Sequence, residues 1–174
     1  MSSSKQFTLF TTDGAPPNGW KVMIVLEELG LSYEHNPEYT KFNPNGRIPA
    51  LIDHHANDFA IWESDAILSY LVEKYDTERK ISFDRFEVKI IQLQWLFFQA
   101  SGQGGTIRVF GVLEDVLSKR TWLVGDKCSV ADMSFTTYGF NFEAEFPAVA
   151  KWHASMTSRE SVKKVFSIRK ATTA

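Results

Sequence analysis

The stretch from Asn43 to Tyr75, NPNGRIPALIDHHANDFAIWESDAILSYLVEKY, constrains the fold more than any other part of this chain. Asn43-Pro44-Asn45-Gly46 is a cluster of chain breakers, so the backbone must turn there, and Arg47-Ile48-Pro49-Ala50-Leu51-Ile52 leaves the turn as an apolar strand. Proline cannot donate to a sheet ladder, which confines Pro49 to the start of the strand, and a proline following a turn is a candidate for a cis peptide. The polar tip Asp53-His54-His55-Ala56-Asn57-Asp58 closes a hairpin onto Phe59-Ala60-Ile61-Trp62. Ser64 is then the expected N-cap of a helix that carries Asp65 in its first turn and buries Ile67, Leu68, Leu71, Val72 and Tyr75 on one face. A helix N-terminus offers unpaired N–H groups and partial positive charge, so Glu63-Ser64 can hold a carboxylate there. Ile48, beside the strand-initial proline, has backbone groups that a peptide-like ligand can pair with as an added strand.

Upstream, Phe7-Thr8-Leu9-Phe10 alternates as a strand, and Thr11 to Pro17 is a loop of small and breaker residues. A helix starts at Asn18, with Val22, Val25, Leu26 and Leu29 at helical spacing and Gly30 suited to the left-handed position that ends it. Leu31-Ser32-Tyr33-Glu34 begins a second strand. Strand, helix, strand, hairpin and closing helix is the plan of a thioredoxin-like α+β domain, here over 1–77, but no Cys-x-x-Cys pair is present. Any thiol chemistry must therefore come with the substrate.

Downstream, Asp76-Thr77-Glu78-Arg79-Lys80 reads as a charged linker, and only helical patterns follow, giving an all-α bundle over 82–174. Phe86, Ile90, Leu93 and Phe97 trace one face of a long helix, widened by Trp95, Leu96 and Phe98. A face that wide needs two covers, the bundle core and either a second copy of the chain or a ligand pocket, and a homodimer is expected. Shorter helices are expected near 106–118, 147–156 and 161–168. Ser129 with Asp132 three residues on forms a capping box, and Cys128 with Met133 its hydrophobic staple, which argues for a buried, unreactive thiol. Three places, near Asn36, Gly104 and Tyr138, are too short for the crossover and helix lengths around them. Either the molecule is trimmed there or the chain is interrupted.

Composition removes several function classes. The 19 basic and 21 acidic residues leave a net charge of -2, with no electrostatic footprint for nucleic acid or a membrane surface. The single cysteine allows no internal disulfide, the first residues have no signal-peptide core, and no apolar run spans a bilayer, so the cytosol is the expected compartment. His54 and His55 are adjacent in the hairpin tip, so they point apart and no metal site is expected.

NPNGRIPALID and IWESDAILSYLVEKY together resemble the glutathione transferases, and Pro17-Asn18-Gly19-Trp20-Lys21-Val22 resembles the nu-class and fungal nitrogen-regulator-like branch of that family. The resemblance implies glutathione as the cofactor, with Arg47, Ile48 and Pro49 along its peptide and Glu63 with Ser64 at its γ-glutamyl end. It implies Asn18 as the group placed by the thiol, with Thr11 and Thr12 as lesser candidates for a hydroxyl donor. The implied activity is attack of the glutathione thiolate on a small-molecule electrophile or a disulfide. Relatives in the family carry longer segments at the three short places. Two other readings remain: a non-catalytic regulator of the fungal nitrogen-regulator type, whose Asn/Gln-rich tail does not precede Phe7 here, and a transferase-like structural domain.

Overall fold

The computed structural model describes residues 5–12, 17–37, 42–102, 107–136 and 144–172. Strand β1 (Phe7–Phe10) is buried along its whole length and occupies the interior of a four-stranded sheet of order β2-β1-β3-β4. It pairs in parallel with β2 (Tyr33–Asn36) and antiparallel with β3 (Ala50–Asp53), which in turn pairs antiparallel with β4 (Phe59–Trp62). Helix α1 (Pro17–Glu28) makes the crossover that two parallel strands require, and begins on a proline whose missing N–H costs nothing at that position. It ends as the sequence indicates: Gly30 has φ 67°, and the Leu31 N–H bonds the Leu26 carbonyl at 2.9 Å. The hairpin between β3 and β4 contains a short 3-10 turn at His54–Ala56, and Ile48-Pro49 is cis.

Seven helices are described: α2 (Ser64–Tyr75), α3 (Phe86–Ser101), α4 (Ile107–Leu117), α5 (Val130–Met133), α6 (Pro147–Thr157) and α7 (Glu160–Thr172) follow α1. Among the described residues, no strand follows Trp62 and no helix lies between β2 and β3. The expected short places at Gly104 and Tyr138 lie outside the described residues, and Asn36 ends β2 beside residues 38–41, which also lie outside them. No described helix is long and apolar enough to cross a membrane.

Tertiary packing departs from the sequence reading in three places. The apolar stripe on α1 predicts one buried face, yet residues Gly19 to Leu26 are all buried, because α1 packs against α2 on one side and against α5 and α7 on the other. In α3 the core-facing residues are Gln92, Leu96 and Gln99, while Phe86 and Phe97 of the expected core face are each 70% exposed. α4 is five residues shorter than α3, and among the described residues nothing covers that side of the long helix. The expected charged linker is pinned: the buried Asp76 carboxylate accepts from Lys80 N–H (2.7 Å), Ile81 N–H (3.0 Å) and Ser82 Oγ (2.7 Å). Ile81 can thus be fully buried at the start of the helical half, where its carbonyl accepts the Val130 N–H at 2.9 Å.

The helical half is organised around Asp132. Its Oδ2 accepts from the Ser129 N–H and hydroxyl, both at 2.8 Å, the first of these forming the capping box with the Asp132 N–H that the Ser129 side chain accepts, while Oδ1 accepts from Leu123 N–H and Trp152 Nε1, both at 2.9 Å. Burial pushes the Asp132 carboxyl above its usual range, and these four donors oppose that shift. Cys128 and Met133 lie in the surrounding core, and burial pushes the Cys128 thiol up to about 12, consistent with an unreactive staple. Asp132→Ala leaves buried donors on Leu123, Ser129 and Trp152 without an acceptor at about 1–3 kcal/mol each, so we expect a loss of roughly 3–5 kcal/mol in chemical denaturation.

Candidate functional site

Three separated stretches meet at one shallow cavity of about 60 Å³, lined by Asn18, Asn43, Asn45, Arg47, Ile48, Pro49, Glu63 and Ser64. Asn18 is the second residue of α1 and Ser64 the first of α2, so two helix N-termini open on the same space, each bringing the partial positive charge of its first turn. Ser64 is therefore not the N-cap that the sequence suggests. The N-cap is Glu63, which makes no side-chain cap bond and has φ 68°. That left-handed backbone in a non-glycine residue costs about 1–3 kcal/mol, and it leaves the Ser64 hydroxyl free of a capping bond at the cavity wall. Ile48 forms no backbone hydrogen bond among the described residues.

The third wall is built by Asn43. Its amide donates to the Arg47 carbonyl at 2.7 Å, and its side-chain oxygen accepts the Asn45 N–H at 2.9 Å, an Asx turn that folds Asn43–Gly46 back on itself. The sequence marks this stretch only as a breaker cluster. Asparagine at the first position of Asn-Pro-Asn-Gly is the signal that identifies it as a builder of the wall.

Behind the cavity lies a second feature that sequence reasoning missed. Lys21, one turn after Asn18, is fully buried, and its Nζ donates to Asp65 Oδ1 at 2.7 Å and Gln99 Oε1 at 2.6 Å. Burial pushes the Lys21 ammonium down and the Asp65 carboxyl up, and each opposes the shift of the other. The helical period at Lys21 gives no warning of this, since its partners come from α2 and α3.

Thr11 and Thr12 follow β1 and do not line the cavity. Both hydroxyls are buried, and among the described residues neither has a hydrogen-bond partner. Thr11 packs so tightly on α1 that a Cβ at Gly19 would lie 2.0 Å from its Oγ1 and 2.8 Å from its Cβ. Gly19 in Pro-Asn-Gly is thus needed for close approach of α1 to the end of β1, which sets the position of Asn18. His54 is committed within the sheet surface: Nδ1 meets Asp58 Oδ1 at 2.6 Å and Nε2 meets Thr8 Oγ1 at 2.8 Å.

The cavity joins a cation (Arg47), an exposed backbone edge (Ile48), an acid (Glu63) and a hydroxyl on a helix N-terminus (Ser64). Such a donor set suits a short peptide bearing carboxylates and an ammonium. A thioredoxin-like sheet with this site beside its cis-proline, followed by a helical bundle, defines a class that binds a short peptide-like ligand. Two family models match, glutathione S-transferase N-terminal domain at residues 17–74 and glutathione S-transferase C-terminal domain at residues 99–160. Glutathione S-transferase 1 of Schizosaccharomyces pombe is 39% identical, the match covering 94% of this chain and 96% of that protein. Ure2p5 of Phanerochaete chrysosporium, cocrystallized with 1-(S-glutathionyl)-2,4-dinitrobenzene, superposes with a TM-score of 0.90 at 46% identity, covering 98% of this chain and 97% of that one. URE2P6 of the same fungus, in complex with oxidized glutathione, gives a TM-score of 0.90 at 46% identity over 99% of this chain and 100% of the other. The chain belongs to the glutathione S-transferase family, in its fungal Ure2-like branch. The match to the S. pombe protein runs over 222 residues, more than the 174 of this chain, so that relative carries stretches this chain lacks.

The Thr11–Gly19 contact yields a paired expectation. Gly19→Ala should destabilise by about 1–3 kcal/mol through overpacking. Thr11→Val should be neutral or stabilising, because it replaces a buried hydroxyl that has no partner among the described residues. Thermal melts of both variants check it.

Proposed function

We propose that this chain is a cytosolic glutathione transferase that presents the thiol of glutathione to a small electrophile or a disulfide. The observation that carries this reading is the convergence of Asn18, Arg47, Ile48, Pro49, Glu63 and Ser64 on one cavity. In this assignment Ile48 pairs its backbone with the cysteinyl unit. Ser64 and the α2 N-terminus receive the γ-glutamyl carboxylate, Glu63 faces the ammonium, and Arg47 supplies positive charge for the remaining carboxylate. We place the boundary between the glutathione-binding and helical domains in the Asp76-pinned segment, residues 78–81.

Glutathione supplies a thiol whose anion is the nucleophile, and a free thiol with pKa ~8.5 is only a few per cent ionised near neutral pH. The task of the protein is to favour the anion, each unit of lowered pKa being ~1.4 kcal/mol. Asn18 can donate its amide to the sulfur from a helix N-terminus, where the N–H groups add to the effect. Thr11 and Thr12, with hydroxyls at the end of β1 that have no partner among the described residues, are the next candidates. The relatives crystallised with a dinitrobenzene conjugate and with oxidized glutathione support conjugation and disulfide exchange alike. A chain that bound glutathione without turning over either substrate type would be a regulator instead.

Two substitutions separate binding from thiol activation. Ser64→Ala should weaken glutathione binding by roughly 1.5–3 kcal/mol in calorimetry, the value of a hydrogen bond to a charged group. Asn18→Ala should leave affinity near native while turnover falls and the pH-rate profile moves upward. An unshifted profile would move the role to Thr11 or Thr12. We also assign the exposed face of Phe86, Ile90, Ile91 and Phe97 to a homodimer interface. Analytical ultracentrifugation should give twice the 19.8 kDa chain mass, and Phe97→Glu should shift it to monomer.

A further inference from the structure

The first turn of α2 carries a charge conflict. Its N–H groups open on the cavity, which favours an anion, but Glu63 and Asp65 bring carboxylates to both sides of Ser64. Glu63 is exposed and can be screened by solvent or by a cationic group of a ligand, whereas the Asp65 side chain is only 13% exposed and has no such relief. Among the described residues its one cation is Lys21, at 2.7 Å and fully buried. Lys21 is in turn held from the opposite side by Gln99 Oε1 at 2.6 Å, on α3 of the helical half. A buried lysine with its ammonium engaged in this way cannot reach a ligand itself. Its influence on the cavity must pass through Asp65.

Resting on the assignment of glutathione to this cavity, we infer that Lys21, fixed by Gln99, is a positioning and charge-compensating residue: it neutralises Asp65, so that the α2 N-terminus at Ser64 stays receptive to the γ-glutamyl carboxylate. The helical half thereby contributes to glutathione affinity without touching the ligand. A pair that merely staples α1 to α2 would behave differently. Its loss would lower stability and affinity together, and removing the second partner could only make matters worse.

The experiment is a cycle of Lys21→Met, Asp65→Asn and the double variant, with glutathione dissociation constants from calorimetry read beside melting temperatures. Lys21→Met leaves an uncompensated buried carboxylate next to the anion subsite and should weaken glutathione by about tenfold, as well as lowering the melting temperature. Lys21→Met/Asp65→Asn should bring affinity back to within about threefold of wild type while the melting temperature stays low, because the carboxylate is gone but the bonds are not restored. Asp65→Asn alone, the variant that serves if Lys21→Met fails to fold, should bind glutathione at least as tightly as wild type. Unchanged affinity in Lys21→Met, a double variant as weak as Lys21→Met, or tenfold weakening in Asp65→Asn would each overturn the inference. Failure of the wild-type chain itself to bind glutathione would instead overturn the functional reading on which it rests.

Discussion

A lysine ammonium with no solvent exposure sits where α1, α2 and α3 meet, and much of the structure follows from the need to satisfy it. An isolated buried charge costs several kcal/mol, so Lys21 is tenable only with Asp65 and Gln99 at hydrogen-bond distance. That condition fixes the relative placement of three helices. Asn18 lies one turn before Lys21, and Ser64 immediately precedes Asp65. The contact that joins the helical half to the sheet half therefore also places the two helix N-termini that face each other across the cavity.

Elsewhere the same device recurs with carboxylates. Asp53 accepts from Tyr70, Tyr75 and Lys74 and fixes the hairpin beneath α2; burial alone would raise its pKa, but these donors hold the carboxyl below its usual range. Asp76 folds the segment between the two halves, and Asp132 ties α5 and α6 to the Leu123 turn. At the far end of α1, Glu28 receives Arg159 and Ser161 from the start of α7. Burial pushes the Glu28 carboxyl up, yet those donors and the nearby Lys80 outweigh it and hold it below the carboxylate range. In each case one carboxylate accepts several donors, from helix α2 at Asp53, from the chain turn at Asp76, and from both helices and chain turns at Asp132 and Glu28. Rigidity is thus delivered around the cavity and not within it, since none of these carboxylates lines it.

Local chemistry made a large part of this legible in the sequence. Breakers, period-two alternation and period-3.6 stripes place β1, α1, the β3–β4 hairpin, α2 and the later helices, because each depends on neighbours within a turn or a hairpin. The capping box at Ser129 and Asp132, the Gly30 helix end and Pro49 at a strand start are legible for the same reason. The motif residues Asn18, Arg47, Ile48, Pro49, Glu63 and Ser64 do come together, since the antiparallel pairing leaves the end of β1, the start of β3 and the end of β4 at one side of the sheet.

Tertiary structure alone decided the rest. It turned Ser64 from a cap into the first residue of α2, and it buried α1 on every side. It pointed Phe86 and Phe97 outward while Gln92 and Gln99 faced inward, and it made Lys21 a core residue. The sequence by itself determined which elements form and which polar residues stand at their ends, because those preferences are set by backbone geometry and nearest neighbours. Which face of each helix is covered, and which buried charge meets which partner, depends on elements distant in the chain. Gln99 lies 78 residues from the lysine it holds, and no local pattern encodes that distance.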